Sequence, residues 1–204
     1  MNSYTKKIFS AALLIVGFTL LSFSGCKRNN IPNYPYNIGS KWVYSVYDSI
    51  MQRNYTETVE ITGTTQLNNG TNVKVFKHTF SLNKDSATYL YLMENADTLT
   101  FLQDISGNYN LTDRRYVYPI IVGNQWLGVS NIDNYNVVSD EQVTVPSGNF
   151  NTFKITRNLS VTNYYLWETE WYSPSIGMIK LERREYDFGW TANKNYQLIS
   201  YQLK

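Results

Sequence analysis

Along most of this chain the apolar residues fall on every second position. Trp42, Tyr44 and Val46 alternate with polar or smaller neighbours. Val59 and Ile61 alternate with Thr58, Glu60 and Thr62. Phe153, Ile155, Leu159 and Val161 share one parity, while Thr152, Lys154, Thr156, Asn158 and Ser160 share the other. A two-residue period puts one set of side chains on each face of a strand, so these stretches read as half-buried β-strands. Tyr89 to Met93 is apolar on both parities, as in a strand covered on both faces. Turn residues separate the runs at Asn68-Asn69-Gly70, Ser106-Gly107-Asn108, Pro146-Ser147-Gly148-Asn149 and Ser173-Pro174-Ser175. With 18 Tyr, 9 Phe and 5 Trp, the composition suits pleated sheet. No stretch past residue 26 has helical period. Roughly ten to twelve strands at this spacing predict an all-β protein: an antiparallel curved sheet, half-barrel or sandwich.

The N-terminus has a different pattern. Lys6 and Lys7 precede an apolar run from Ile8 to Leu21, and Ser22-Phe23-Ser24-Gly25-Cys26 follows. A basic head, a short apolar core and small residues form a secretory signal, and the run is too short for a permanent membrane span. Ser24-Gly25-Cys26 resembles the lipobox of Gram-negative lipoproteins. That resemblance implies cleavage after residue 25, fatty acids such as palmitate on Cys26, and anchorage to a membrane. Lys27, where inner-membrane lipoproteins carry Asp, implies the outer membrane; whether the domain faces the periplasm or the exterior stays open. The expected organisation is a signal peptide over 1–25, an anchor and tether over 26–33, and one β domain over 34–204. Cys26 is the one cysteine, so no internal disulfide supports the fold.

Without Lys6 and Lys7 the 18 basic residues become 16, equal to the 16 acidic ones. A balanced chain has no footprint for a polyphosphate partner, so no nucleic acid is expected. The pairs Arg114-Arg115 and Arg183-Arg184 read as solvated strand positions.

One segment recurs. Tyr34-Pro35, Ile38-Gly39 and Trp42 reappear 84 positions later as Tyr118-Pro119, Val122-Gly123 and Trp126. Each copy reads as an extended Pro segment, a Gly turn and a Trp that starts a strand. Two related β-meander halves, 34–117 and 118–204, are therefore expected.

Val143, Pro146, Gly148, Phe150 and Phe153 are followed by Trp171-Tyr172, Pro174, Gly177 and Lys180. This pattern, with Ile38-Gly39-Ser40-Lys41-Trp42 upstream, resembles uncharacterised lipid-anchored β-proteins of Gram-negative bacteria with a VPxGxF…WYxPxxGxxK signature. The resemblance implies a curved sheet akin to the half-barrels of lipoprotein carriers. It implies no activity.

Chemistry is sparse. His78 is the single histidine, and Cys26 is taken by its acyl group, so neither a metal site nor a cofactor is expected. No nucleophile-elbow, zincin or P-loop motif occurs. Glu168 and Glu170, two apart on a strand, lie about 6.5–7 Å from each other on one face, in range for a glycosidase pair. Tyr165, Trp167, Thr169 and Trp171 hold the other parity and read as the core face, which makes the glutamates a solvated acidic face. Asp140-Glu141 reads the same way. Asp48-Ser49-Ile50, Asp85-Ser86-Ala87 and Asp97-Thr98-Leu99 resemble O-glycosylation acceptors, so Ser49, Ser86 and Thr98 are candidate attachment sites.

The function these features favour is a non-catalytic binding or carrier module for an apolar ligand or a glycan. Tyr44, Tyr89, Tyr91, Trp167 and Trp171 are its candidate lining residues. The alternatives are a structural subunit docking on another envelope protein, and a glycan hydrolase using Glu168 and Glu170.

Overall fold

The computed structural model describes residues 37–108, 110 and 113–204. The signal segment, Cys26 and the tether lie outside these residues. Among the described residues there are twelve strands and no helix. The first six are β1 (Lys41–Asp48), β2 (Arg53–Gln66), β3 (Asn72–Phe80), β4 (Asn83–Asn95), β5 (Thr98–Leu102) and β6 (Arg114–Val117). The second six are β7 (Gln125–Leu127), β8 (Asp133–Val145), β9 (Gly148–Val161), β10 (Tyr164–Ser173), β11 (Gly177–Asp187) and β12 (Trp190–Gln202). All four expected turn clusters fall at junctions between successive strands, with Gly148 and Asn149 opening β9 and Ser173 closing β10. The expected antiparallel curved sheet is what forms.

All twelve strands make one antiparallel sheet, ordered β6-β5-β4-β3-β2-β1-β12-β11-β10-β9-β8-β7. Each half is a six-stranded meander, and the halves join where β1 pairs with β12. The described parts of the recurring segment, from Ile38 and from Val122 onward, occupy equivalent places. Gly39 donates its N–H to Ile61 O at 2.8 Å, and Ile61 donates to Ser40 O at 3.0 Å. Gly123 donates to Val137 O at 2.8 Å, and Val137 donates to Asn124 O at 3.0 Å. The second strand of each half then bulges, between Ile61 and Gly63 in β2 and between Val137 and Ser139 in β8. Such bulges bend and twist a strand, so each half is curved by the same device.

Gly39 and Gly123 sit at φ +88° and +90°, a region that L side chains avoid. A Cβ at Gly123 would meet nothing within 4 Å. Gly123→Ala is therefore expected to cost about 1–2 kcal/mol from backbone strain alone. Equilibrium denaturation would measure it, and an unchanged midpoint would contradict it.

Curvature brings the first and last parts of the sheet together. The seam beside β6 is closed by side chains. Trp126 Nε1 donates to Arg115 O at 2.8 Å, Tyr135 Oη accepts from Arg115 N at 3.4 Å, and an Arg157 nitrogen donates to Asp113 O at 3.0 Å. This occupies an edge that would otherwise offer free backbone groups. Inside, Trp42, Ile61, Val137, Ile155, Tyr172, Ile179 and Leu198 form part of a buried core drawn from both halves. Trp42 donates its indole N–H to Ile176 O at 2.7 Å, so its burial leaves no polar atom unmatched.

A candidate ligand cavity bounded by a buried ion cluster

The parity rule that builds the strands also places charges indoors. Arg157 falls between Ile155 and Leu159 on the inward parity of β9. Arg183 follows Ile179 and Leu181 in β11, Glu168 follows Leu166 in β10, and Asp133 precedes Tyr135 and Val137 in β8. Isolated buried charges would be prohibitive. Here opposite signs meet: Glu168 lies between Arg157 and Arg183 on the two flanking strands, and Arg114 reaches it from β6.

Glu168 is the hub. One carboxylate oxygen accepts from Arg114 at 2.6 Å and Arg183 at 3.0 Å, and the other accepts from Arg157 at 3.4 Å. Arg157 is 2% exposed and also donates to Asp133 at 2.7 Å. Its guanidinium lies 5.3 Å from the centre of the Tyr135 ring. Arg183 is forked onto Glu185 at 2.7 and 3.1 Å. Glu170 accepts from Arg114 at 3.2 Å and from the Tyr116 hydroxyl at 2.8 and 2.9 Å. Burial alone would raise the Glu168 carboxyl, but Arg114, Arg183 and Arg157 together hold it at about 2. For Glu170 burial wins over Arg114 and Tyr116, and its carboxyl is pushed up. The cluster ties β6 to β8, β9, β10 and β11, and so fastens the seam ionically. Gly128 is required beside it, because a Cβ there would stand 1.8 Å from an Asp133 carboxylate oxygen.

This overturns the assignment of faces in β10. Glu168 and Glu170 are buried and inward, whereas Trp167 is 48% exposed and Tyr165 is also exposed. Aromatic rings look like the core-forming parity, but guanidinia on the flanking strands β9 and β11, with Arg114 reaching across from β6, make the carboxylates the interior set. The solvated reading of the arginine pairs fails for Arg114 and Arg183, which belong to the cluster. It holds for Arg184, which is exposed.

Between the cluster and β1–β5 lies a cavity of about 580 Å³. Its wall carries a continuous belt of rings. Trp42 and Phe76 stack at 6.2 Å, Phe76 and Phe101 meet edge-on at 5.3 Å, Phe101 and Tyr116 meet at 6.1 Å, and Tyr116 stacks on Tyr172 at 4.8 Å. The belt spans both halves. Arg114, Arg183 and Glu170 stand on one part of the wall, and Glu57 with His78 on another. His78 Nδ1 is 2.6 Å from a Glu57 carboxylate oxygen, so Nδ1 carries the proton and donates. Its Nε2 is buried without a hydrogen-bond partner.

Of the five proposed lining aromatics, Tyr44 and Tyr89 border the cavity. Tyr91 packs in a separate cluster with Leu67, Val73 and Leu102. Trp167 lies on the outer face, stacked 5.7 Å from Tyr165. Trp171 is buried among outer-face side chains. Lys180 and Lys154 lie 4.2 and 5.2 Å from its ring centre, and its indole donates to Glu141 at 2.5 Å. Phe76, Phe101, Tyr116 and Tyr172 were missed; Phe76 and Phe101 lie on inward parities that short apolar runs leave ambiguous. Of the candidate glycosylation sites, Ser86 is exposed on β4, while Ser49 and Thr98 donate their hydroxyls to Asn193 O and Asn95 O. Asp140 and Glu141 are exposed, as expected.

The fold and its interior define an all-β half-barrel with an aromatic-walled cavity. The DUF3108-like family profile matches residues 120–203, nearly the whole second meander. No curated protein matches the chain. Two solved structures resemble it. A candidate lipoprotein from Parabacteroides distasonis ATCC 8503 is 14% identical with TM-score 0.52, over 83% of this chain and 97% of that one. A candidate exported protein with a YmcC-like fold from Bacteroides fragilis NCTC 9343 is 15% identical with TM-score 0.44, over 83% and 98%. At these identities the first likeness is one of fold.

Proposed function

We propose that this chain is an envelope lipoprotein, held to the outer membrane by fatty acids on Cys26, whose half-barrel binds and carries an apolar ligand. The observation that carries this reading is the cavity itself. Its size falls within the range of about 300–1,000 Å³ found for small-molecule sites, and it combines apolar walls with a few polar groups. The partnerless Nε2 of His78 on its wall supports it, since a buried polar atom is rarely left unmatched. Catalysis is less well supported, because both glutamates are already engaged by guanidinia.

Leu90 partly lines the cavity, and Leu90→Trp would fill it. Native mass spectrometry of the full chain released from its membrane is expected to show one noncovalent molecule on the wild type and none on Leu90→Trp. An empty wild type, or equal occupancy in both, would overturn the reading.

A second reading has one observation behind it. Tyr165, Trp167 and Tyr186 form an exposed aromatic group on the outer face, near Phe188, which is 77% exposed. Such patches serve as docking surfaces. Loss of crosslinks to an envelope protein in Trp167→Ser, with cavity occupancy unchanged, would favour that role.

A further inference from the structure

The polar part of the cavity wall is not symmetric in charge. Arg114 and Arg183 converge on a single oxygen of Glu168, at 2.6 and 3.0 Å, so their guanidinia lie side by side. Their side chains are 18% and 22% exposed, against 3% for Glu168 and 7% for Glu170. Both arginines border the cavity, whereas Glu168 does not. The guanidinia therefore stand between Glu168 and the cavity space. The contacts described use two of the five N–H groups of Arg114 and three of those of Arg183. Glu170, the carboxyl that does reach the wall, is pushed by burial toward its neutral form and accepts from Tyr116.

We propose that the ligand is a mono-anionic amphiphile, with its apolar body along the ring belt from Trp42 to Tyr172 and a carboxylate head against Arg114 and Arg183. This rests on the cavity being a ligand site and adds the class of molecule it takes. The ring belt supplies dispersion and area burial without direction. The paired guanidinia supply direction, since charge-assisted N–H···O⁻ bonds are about twice as strong as neutral ones. A neutral alcohol of the same chain gains the first contribution and little of the second. A quaternary ammonium of the same chain meets two like charges.

The test uses two ten-carbon photoprobes with a chain diazirine, one a carboxylate and one the matching alcohol. Each is irradiated with the full chain in lipid nanodiscs, and adducts are mapped by peptide mass spectrometry. Peptides carrying Trp42, Phe76 and Phe101 are expected to be labelled about tenfold more by the carboxylate. Excess decanoate should suppress this labelling, and decyltrimethylammonium should not. In Arg183→Gln the ratio should fall close to one, and Arg183→Lys should retain most of it. Equal labelling of the wild type by acid and alcohol would overturn the anionic head while leaving the cavity reading intact. So would a ratio that survives in a folded Arg183→Gln. Should Arg183→Gln fail to fold, the wild-type ratio and the two competitors decide. If neither probe labels the cavity peptides, the binding function itself is wrong.

Discussion

Arg157→Leu is expected to destabilise the protein by about 3–5 kcal/mol, a large part of the roughly 5–15 kcal/mol that holds a domain of this kind together. Arg157 is almost fully buried and bonds Asp133, Glu168 and the Asp113 carbonyl. Leucine would fill much of the volume but leave Asp133, itself fully buried, with no cation. Most of the cost comes from that uncompensated charge rather than from loss of the attraction. The variant also removes one of the ties across the seam, so β6 should gain amide exchange ahead of β1 and β12. Chemical denaturation gives the first quantity and hydrogen exchange the second. Replacing Asp133 by Leu as well should recover part of the loss, because an apolar pair needs no compensation. A loss below about 1 kcal/mol, typical of an exposed ion pair, would show that the cluster is not a buried clasp.

Acid should open the same clasp. The Glu168 carboxyl is held at about 2, below the ordinary 4.5, because three guanidinia outweigh its burial. A depressed carboxyl stabilises the fold fully above its unfolded value, and that stabilisation is lost as pH falls through the folded one. The window is therefore roughly pH 4.5 down to 2. At 1.36 kcal/mol per unit the contribution is on the order of 3 kcal/mol. Glu170 acts with the opposite sign. Its raised carboxyl favours folding at low pH, and that advantage disappears as pH rises through its folded value. Glu168→Gln should thus lower stability at pH 7 and flatten the decline between pH 4.5 and 2.5. Melting temperatures of wild type and variant across that range give the difference curve. Parallel curves would mean that Glu168 is not the acid-sensitive group.

Much of this architecture was legible in the sequence. Alternation at Trp42-Tyr44-Val46 and Val59-Ile61 gave the strands and their inward faces, and the Gly39 and Gly123 segments marked the two halves. Both depend on local rules: a two-residue period and a positive φ. The ion cluster needs strand pairing and barrel closure as well. Arg157 and Glu168 are cross-strand neighbours on β9 and β10, whereas Arg114 on β6 is brought to them only by barrel curvature. A trace was present, since Arg157 interrupts an otherwise apolar parity, but its partners Asp133 and Glu168 lie on the flanking strands β8 and β10, whose register the sequence does not give. Trp167 misled for the converse reason. Its bulk suggested a core face, yet large aromatic rings also occupy outer surfaces, and Trp171 does so beside Lys154 and Lys180. The cavity was only half visible, because Tyr44 points inward by its parity whereas Tyr116 and Tyr172 are placed by closure of the barrel.

A crystal structure of the full chain, purified from its own membrane without added amphiphile, addresses the central claim most directly. Continuous non-protein electron density along the rings from Trp42 to Tyr172 is the predicted result. A cavity closed by collapsed side chains, or holding ordered water alone, would contradict a ligand-carrying role for this half-barrel.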